Sequence, residues 1–319
     1  MNTSPYITRR ERRRPIMSFW DTLSQMLVIL FAIAAGYAAN ALGYLGEETD
    51  RRISKIILNI SMPCMIVAAV MTGEALPDPA VIFSILKVGV IFYGMEFLFA
   101  CTVPRLLGGT PGEIGVWRFA LAFPNVGFIG YPVVMSLFGP DALFYAVVLA
   151  LPFNLLSFTF GPLMLVGAKN IQLKQMFSPC VIASLIGLAL ALTGTRPPML
   201  VGECLSFVGD LTVPLSLMVV GSLLAALSIK SVFSSPRLWA VSALRLLILP
   251  GLLFLILRAF GVEGLVLGIA VIQMSMPVAV NGSMLCMEYG GDQSCMAQIT
   301  LVSTAASIVT IPLLAAALL

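Results

Sequence analysis

Ten apolar stretches divide this chain of 319 residues, and they decide what it can fold into. They run over 20–42, 53–72, 80–103, 115–137, 142–168, 177–195, 204–226, 238–259, 264–287 and 294–318. A helix needs about 20 apolar residues to cross a hydrocarbon core about 30 Å thick, so each stretch reads as one transmembrane helix. Composition agrees: 59% of residues are hydrophobic and only 10% are charged, against about 25% charged in soluble domains. The predicted fold class is an all-α polytopic membrane protein in the lipid bilayer.

Much chemistry is excluded by what the chain lacks. It has no histidine, and its six cysteines (Cys64, Cys101, Cys180, Cys204, Cys286, Cys295) show no CxxC spacing. No metal or haem site can be read from that pattern, and the cysteines read as small apolar packing residues. A Gly-x-Ser-x-Gly elbow, a Walker loop and a dinucleotide fingerprint are also missing. The chain is therefore read as no enzyme, with no cofactor, no metal and no nucleic-acid partner. Residues 1–16 hold Arg9, Arg10, Arg12, Arg13 and Arg14 without an apolar run. They read either as a disordered basic head or as a start assigned upstream of a true start at Met17.

Positive charge sets orientation. Odd-numbered loops and their flanks hold nine cations: Arg51, Arg52, Lys55, Arg105, Arg118, Lys169, Lys174, Lys230 and Arg237. Even-numbered loops hold two, Arg196 and Arg258. The positive-inside rule places odd loops in the cytoplasm and the first span's N-terminus outside; only the arginine head opposes this.

The second half of the chain echoes the first. Span two contains Leu58 to Pro63 and span seven Gly209 to Pro214, so that Asn59 matches Asp210 at an offset of 151. Span four has Pro124-Asn125 and span nine Pro277-Val278, at an offset of 153. Two five-span copies follow, 17–170 and 171–319, and an odd number of spans turns the second copy upside down. Inverted repeats of this kind bind substrate near the midplane, where discontinuous helices meet. Spans four and nine carry the marks of such helices. Span four holds Pro124, Asn125 and Gly127; span nine holds Pro277, Asn281 and Gly282. Proline removes an N–H and clashes with the preceding turn, and lipid cannot satisfy the backbone groups so freed. One kink needs no binding role, but two at matching positions, each beside an Asn, point to a site. Helix N-termini at such breaks suit an anion.

The run Asn125-Val126-Gly127-Phe128-Ile129-Gly130-Tyr131-Pro132, with Pro277 to Asn281 and Glu288-Tyr289-Gly290-Gly291-Asp292, resembles the auxin efflux carrier family of membrane permeases. Weaker marks are Asn59 to Pro63, Phe153-Asn154 with Gly161, and Pro214 to Gly221. The resemblance covers nearly the whole chain from Met17. It implies ten helices in two inverted five-helix repeats, with spans four and nine crossing at the substrate site, a fold shared with bile acid sodium symporters. It also implies carriage of auxin or, in bacteria, of malonate and similar carboxylates. The plant members' long loop between spans five and six is here only about Lys169 to Gln175, which matches the short bacterial type.

Ionisable residues also fall inside spans. Lys87 and Arg245 read as cations within snorkelling reach of an interface; Glu96 lies in span three. Asp210 reads as a coupling or supporting group beside the crossing, with Asn59 and Asn154. The expected function is a secondary transporter that moves a small organic anion, a carboxylate, across the inner (plasma) membrane by alternating access. The coupling ion, proton or sodium, stays open, and a homodimer is compatible with the sequence. The alternative is a cation or proton antiporter on a similar repeat, which would need acidic residues where Asn125 and Asn281 stand.

Overall fold

The computed structural model of the protein describes residues 19–71, 78–167, 179–195, 198–225 and 235–318. The arginine head and the Lys169 to Gln175 loop lie outside them. Among the described residues there are helices and no strand. In chain order they are α1 (Phe19–Ala41), α2 (Glu47–Ile56), α3 (Met62–Met71), α4 (Pro79–Leu107), α5 (Pro111–Ala122), α6 (Tyr131–Phe138) and α7 (Ala142–Val166). There follow α8 (Pro179–Thr193), α9 (Met199–Gly209), α10 (Thr212–Ala225), α11 (Pro236–Ala243), α12 (Leu249–Ala259), α13 (Gly264–Met274), α14 (Asn281–Tyr289) and α15 (Gln293–Leu318).

Three π turns interrupt or open these helices: Ile57–Ser61 joins α2 to α3, Val126–Gly130 leads into α6, and Leu244–Ile248 joins α11 to α12. Five continuous runs, Glu47–Met71, Pro79–Leu107, Met199–Leu223, Pro236–Ala259 and Gln293–Leu318, are long and apolar enough to cross a bilayer. Leu30–Ala41, Val126–Phe138, Ala142–Phe153, Pro179–Thr193 and Gly264–Met274 are shorter apolar helices. The chain has the build of a multi-span membrane protein.

Local sequence sets the helix starts. Thr110 and Glu113 form a reciprocal capping box at the head of α5, with Pro111 in the first turn, a position where its missing N–H costs nothing. Asp78 caps α4 by accepting from the Ala80 N–H at 2.8 Å. Proline alone does not end a helix here: Pro104, Pro152, Pro162 and Pro312 all sit inside continuous ones.

Two glycines let α1 and α10 touch backbone to backbone. A Cβ on Gly36 would overlap the Met218 main chain, and one on Gly221 would overlap the Ile33 main chain. Without a hydrophobic drive in lipid, such close contact is what joins transmembrane helices. Around α5, Phe123 meets Phe119, Phe97 and Phe153 at ring-centroid distances of 4.9, 5.9 and 6.0 Å. These rings wedge the end of α5 against α4 and α7, and so fix where the chain next leaves the helix.

Candidate functional site

The chain is non-helical at two places that lie against each other. One follows α5 at 123–125 and the other follows α13 at 275–280. Pro124 and Val278 face each other as an antiparallel bridge. The Asn125 N–H donates to the Pro277 carbonyl at 2.7 Å, and the Ala279 N–H donates to the Phe123 carbonyl at 3.0 Å. The two breaks expected from the prolines are thus tied together by their own freed backbone groups.

Each rupture of a helix strands particular carbonyls, and they can be accounted for one at a time. In a continuous helix the Leu121 carbonyl would accept from Asn125, but that N–H goes to Pro277. The Met274 carbonyl would accept from Val278, whose N–H goes to Ser303 Oγ at 3.1 Å instead. Arg245 takes both orphans. Its Nη1 donates to the Leu121 carbonyl at 2.9 Å and its Nη2 to the Met274 carbonyl at 3.1 Å. Nε donates to the Met276 carbonyl at 3.1 Å, and Nη1 also donates to Glu96 Oε1 at 2.8 Å. Four of the guanidinium's five N–H groups are satisfied in this way.

This corrects the snorkelling expected of Arg245. Its side chain and that of Glu96 are both 0% exposed. The reason is geometric: Arg245 lies in the π turn Leu244–Ile248 midway along its span, and it finds carbonyls and a carboxylate there, so it has no need of an interface. π turns recur at functional positions because they re-aim one side chain without ending the helix. Lys87, by contrast, is exposed on α4.

Beyond the breaks the chain becomes helical again, and the two asparagines stand at those new starts. Asn125 Oδ1 accepts from the Phe128 N–H at 3.2 Å and so caps the Val126–Gly130 turn. Its residue is only 4% exposed, and its Nδ2 has no hydrogen-bond partner. Asn281 is the first residue of α14; its Nδ2 reaches Ser157 Oγ at 3.5 Å, while its buried Oδ1 has no partner. A buried amide left half-satisfied is costly, which marks both groups as candidates for contact with a ligand.

The remaining predicted residues fall as follows. Pro124, Pro277 and Gly282 are buried at the crossing. A Cβ on Gly282 would overlap Phe119 and Met296, so α14 depends on glycine to pack there. Gly127 lies against Met62 of the neighbouring span. Asn59 is in the π turn Ile57–Ser61, is exposed, and donates to the Lys55 carbonyl at 2.7 Å. Asp210 is exposed at the end of α9. Asn154 lies on α7, and its side chain is outside the described set. The structure therefore ties Pro124 and Asn125 directly to the Pro277–Val278 segment, with Gly127, Asn281 and Gly282 on the helical turns that follow the two breaks, and it leaves Asn59 and Asp210 exposed. The roles of Glu96, Arg245, Ser157 and Ser303 were not anticipated from sequence. The available signal was an acid and a base, Glu96 and Arg245, at near-matching depths in spans three and eight.

Among the described residues the chain is helical and multi-span, with broken helices buried where they meet, a build that suits a membrane transport protein. The chain belongs to the family described as membrane transport protein, whose profile matches residues 21–170 and 162–315; this is the auxin efflux carrier family that its motifs resemble. It is similar to an "Uncharacterized transporter" of Methanothermobacter thermautotrophicus, 27% identical over 304 residues, covering 93% of this chain and 98% of that one. An "Uncharacterized transporter" of Methanocaldococcus jannaschii is 25% identical over 90% of this chain and 96% of its own length. A "Putative malonate transporter" of Rhizobium meliloti is 25% identical over 72% of this chain and 74% of its own.

Proposed function

We propose that the protein is a secondary transporter that carries a small organic anion, a carboxylate, across the inner (plasma) membrane by alternating access. The observation that carries this reading is the polarity of the crossing. A helix bears about half a negative charge at its C-terminus and half a positive one at its N-terminus. The C-terminal ends of α5 and α13 have their carbonyls met by Arg245. At the opposite ends, Asn125 keeps its Nδ2, a donor, without a protein partner, while the unpartnered atom of Asn281 is its Oδ1, an acceptor. With the negative ends met by Arg245 and a free amide donor at the positive end beside Asn125, the crossing favours an anion there, and the Asn281 acceptor suits a hydroxyl or a protonated carboxyl. Neutral Asn125 and Asn281 at those ends also weigh against the cation or proton antiporter, which needs an acid there.

In this reading the fold is ten transmembrane helices in two inverted five-helix repeats, 17–170 and 171–319. Packing supports it: Gly36 of α1 lies on Met218 of α10, and Gly187 of α8 lies on Ile66 and Val70 of α3. Gly187 follows Gly36 by the same 151 positions that separate Asn59 from Asp210. Substrate is held by Pro124, Asn125, Gly127, Pro277, Asn281 and Gly282, and Asp210, Asn59 and Asn154 support the flanking breaks. The malonate named for the Rhizobium relative has the expected charge and size. The test is malonate exchange in proteoliposomes with the native protein and with variants at the crossing.

A further inference from the structure

We propose that Glu96 is a proton-binding site that couples anion transport to proton movement, by releasing the charge of Arg245 at the crossing. The proposal rests on the carboxylate reading given above.

Three observations carry it. Glu96 and Arg245 form a fully buried pair at 2.8 Å, and the guanidinium bonds the Met276 carbonyl, one residue before the Pro277 that is tied to Asn125. Glu96 Oε2 is buried and has no hydrogen-bond partner. A carboxylate retained only to neutralise a buried cation ordinarily has its lone pairs met, because unsatisfied buried charge is costly. Finally, no second acid is needed to complete a switch: one proton on Glu96 leaves one uncompensated positive charge within the crossing.

Among the described residues Glu96 has one ion-pair partner, Arg245. On the helices packed against α4, the titratable or charged groups are Glu113 and Arg118 on α5, Tyr145 on α7, and Arg237, Arg245 and Arg258 on the α11–α12 span, Arg237 being exposed; α13 has none. Glu113 is spent at the cap of α5, Tyr145 accepts from the Asp78 N–H at the start of α4, and Arg258 is exposed with Glu263. Within α4, Tyr93 donates its hydroxyl to the Leu149 carbonyl, and Lys87 is exposed. Tyr131 of α6 is a buried phenol.

The coupling then works as follows. With Glu96 ionised, the pair is neutral and adds little to anion affinity. When Glu96 takes a proton, Arg245 keeps its hydrogen bonds to the Leu121, Met274 and Met276 carbonyls but contributes a net positive charge to the crossing, and the anion binds more tightly. Linkage is reciprocal, so a bound anion makes Glu96 hold its proton more tightly. One proton therefore accompanies each anion and removes one negative charge from what crosses: a monoanion moves electroneutrally, and malonate, a dianion at neutral pH, moves with one net negative charge instead of two, so that an inward proton gradient offsets part of the opposing interior-negative potential.

The experiment has two arms on the full chain in liposomes. Infrared difference spectra over a pH series read carboxyl protonation without any substrate; a protonated-carboxyl band should grow as pH falls and be absent in Glu96→Gln. Malonate binding, read by displacement of radiolabelled malonate above about pH 7 so that malonate itself stays a dianion, should tighten as pH falls, toward about tenfold per pH unit in the native protein, the limit for one linked proton. It should be tight and independent of pH in Glu96→Gln, and dependent again in Glu96→Asp. If the band persists in Glu96→Gln, or native malonate affinity does not change with pH, the coupling proposal is overturned. Absence of malonate binding to the native protein at every pH would instead count against the carboxylate reading, and the infrared arm would still decide whether Glu96 titrates.

Discussion

The backbone N–H of Asn125 donates to the carbonyl of Pro277 at 2.7 Å, joining two residues 152 positions apart at the point where both their helices have failed. The two broken segments complete each other's hydrogen bonding, for the Ala279 N–H returns a bond to the Phe123 carbonyl. The Asn125–Pro277 bond also sets the asparagine side chain at the start of a new helical turn, where its Oδ1 is used locally and its Nδ2 is not.

Substitutions at Asn125 separate those two uses. Asn125→Ala removes the cap and should cost about 0.5–2 kcal/mol of stability, seen as a lower melting temperature in detergent. Asn125→Asp keeps an acceptor for the Phe128 N–H, so its melting temperature should stay nearer the native value.

Arg245→Met should be among the most destabilising single changes in the protein. It strands the Leu121, Met274 and Met276 carbonyls and leaves Glu96 buried without its counter-charge. Removing one partner of a buried pair costs about 3–5 kcal/mol. The double variant Arg245→Met/Glu96→Gln should recover part of the loss, and a melt showing the double variant equal to or worse than the single would argue against the pair as the main term.

Gly221→Val should loosen the protein by about 1–3 kcal/mol, because the new side chain must push α1 away from α10. Gly94→Val is the comparison: a Cβ at Gly94 meets nothing within 4 Å. Equal melting temperatures for the two variants would mean that the α1–α10 contact is not tight.

Charge in the loops gives a topology. A cytoplasmic reporter fused within Lys169 to Lys174 should be active and one fused near Gly139 inactive. The reverse pattern would contradict the N-out orientation drawn from the nine cations of the odd loops.

Much of this architecture was legible in the residues. Apolar length located helices, five of them long enough to cross a bilayer, and Pro124 and Pro277 at matching offsets located the two breaks. Yet Pro152, Pro162 and Pro312 leave their helices intact; what distinguishes Pro124 and Pro277 is the partner across the crossing, which sequence does not display. The same limit hid Arg245. Its own span alone suggests snorkelling, whereas its burial depends on carbonyls from α5 and from the end of α13 and the segment after it, and on a carboxylate from α4, all remote in sequence.

The central claim, that the crossing at Asn125 and Asn281 carries a small carboxylate by alternating access, is tested most directly by counterflow of radiolabelled malonate in proteoliposomes. In the native protein, unlabelled malonate inside should accelerate uptake of label from outside, as a carrier does and a channel does not. Asn125→Asp, folded but presenting a carboxylate where an amide donor stood, should lose that exchange. Exchange by Asn125→Asp at the native rate, or native uptake indifferent to malonate inside, would contradict the account.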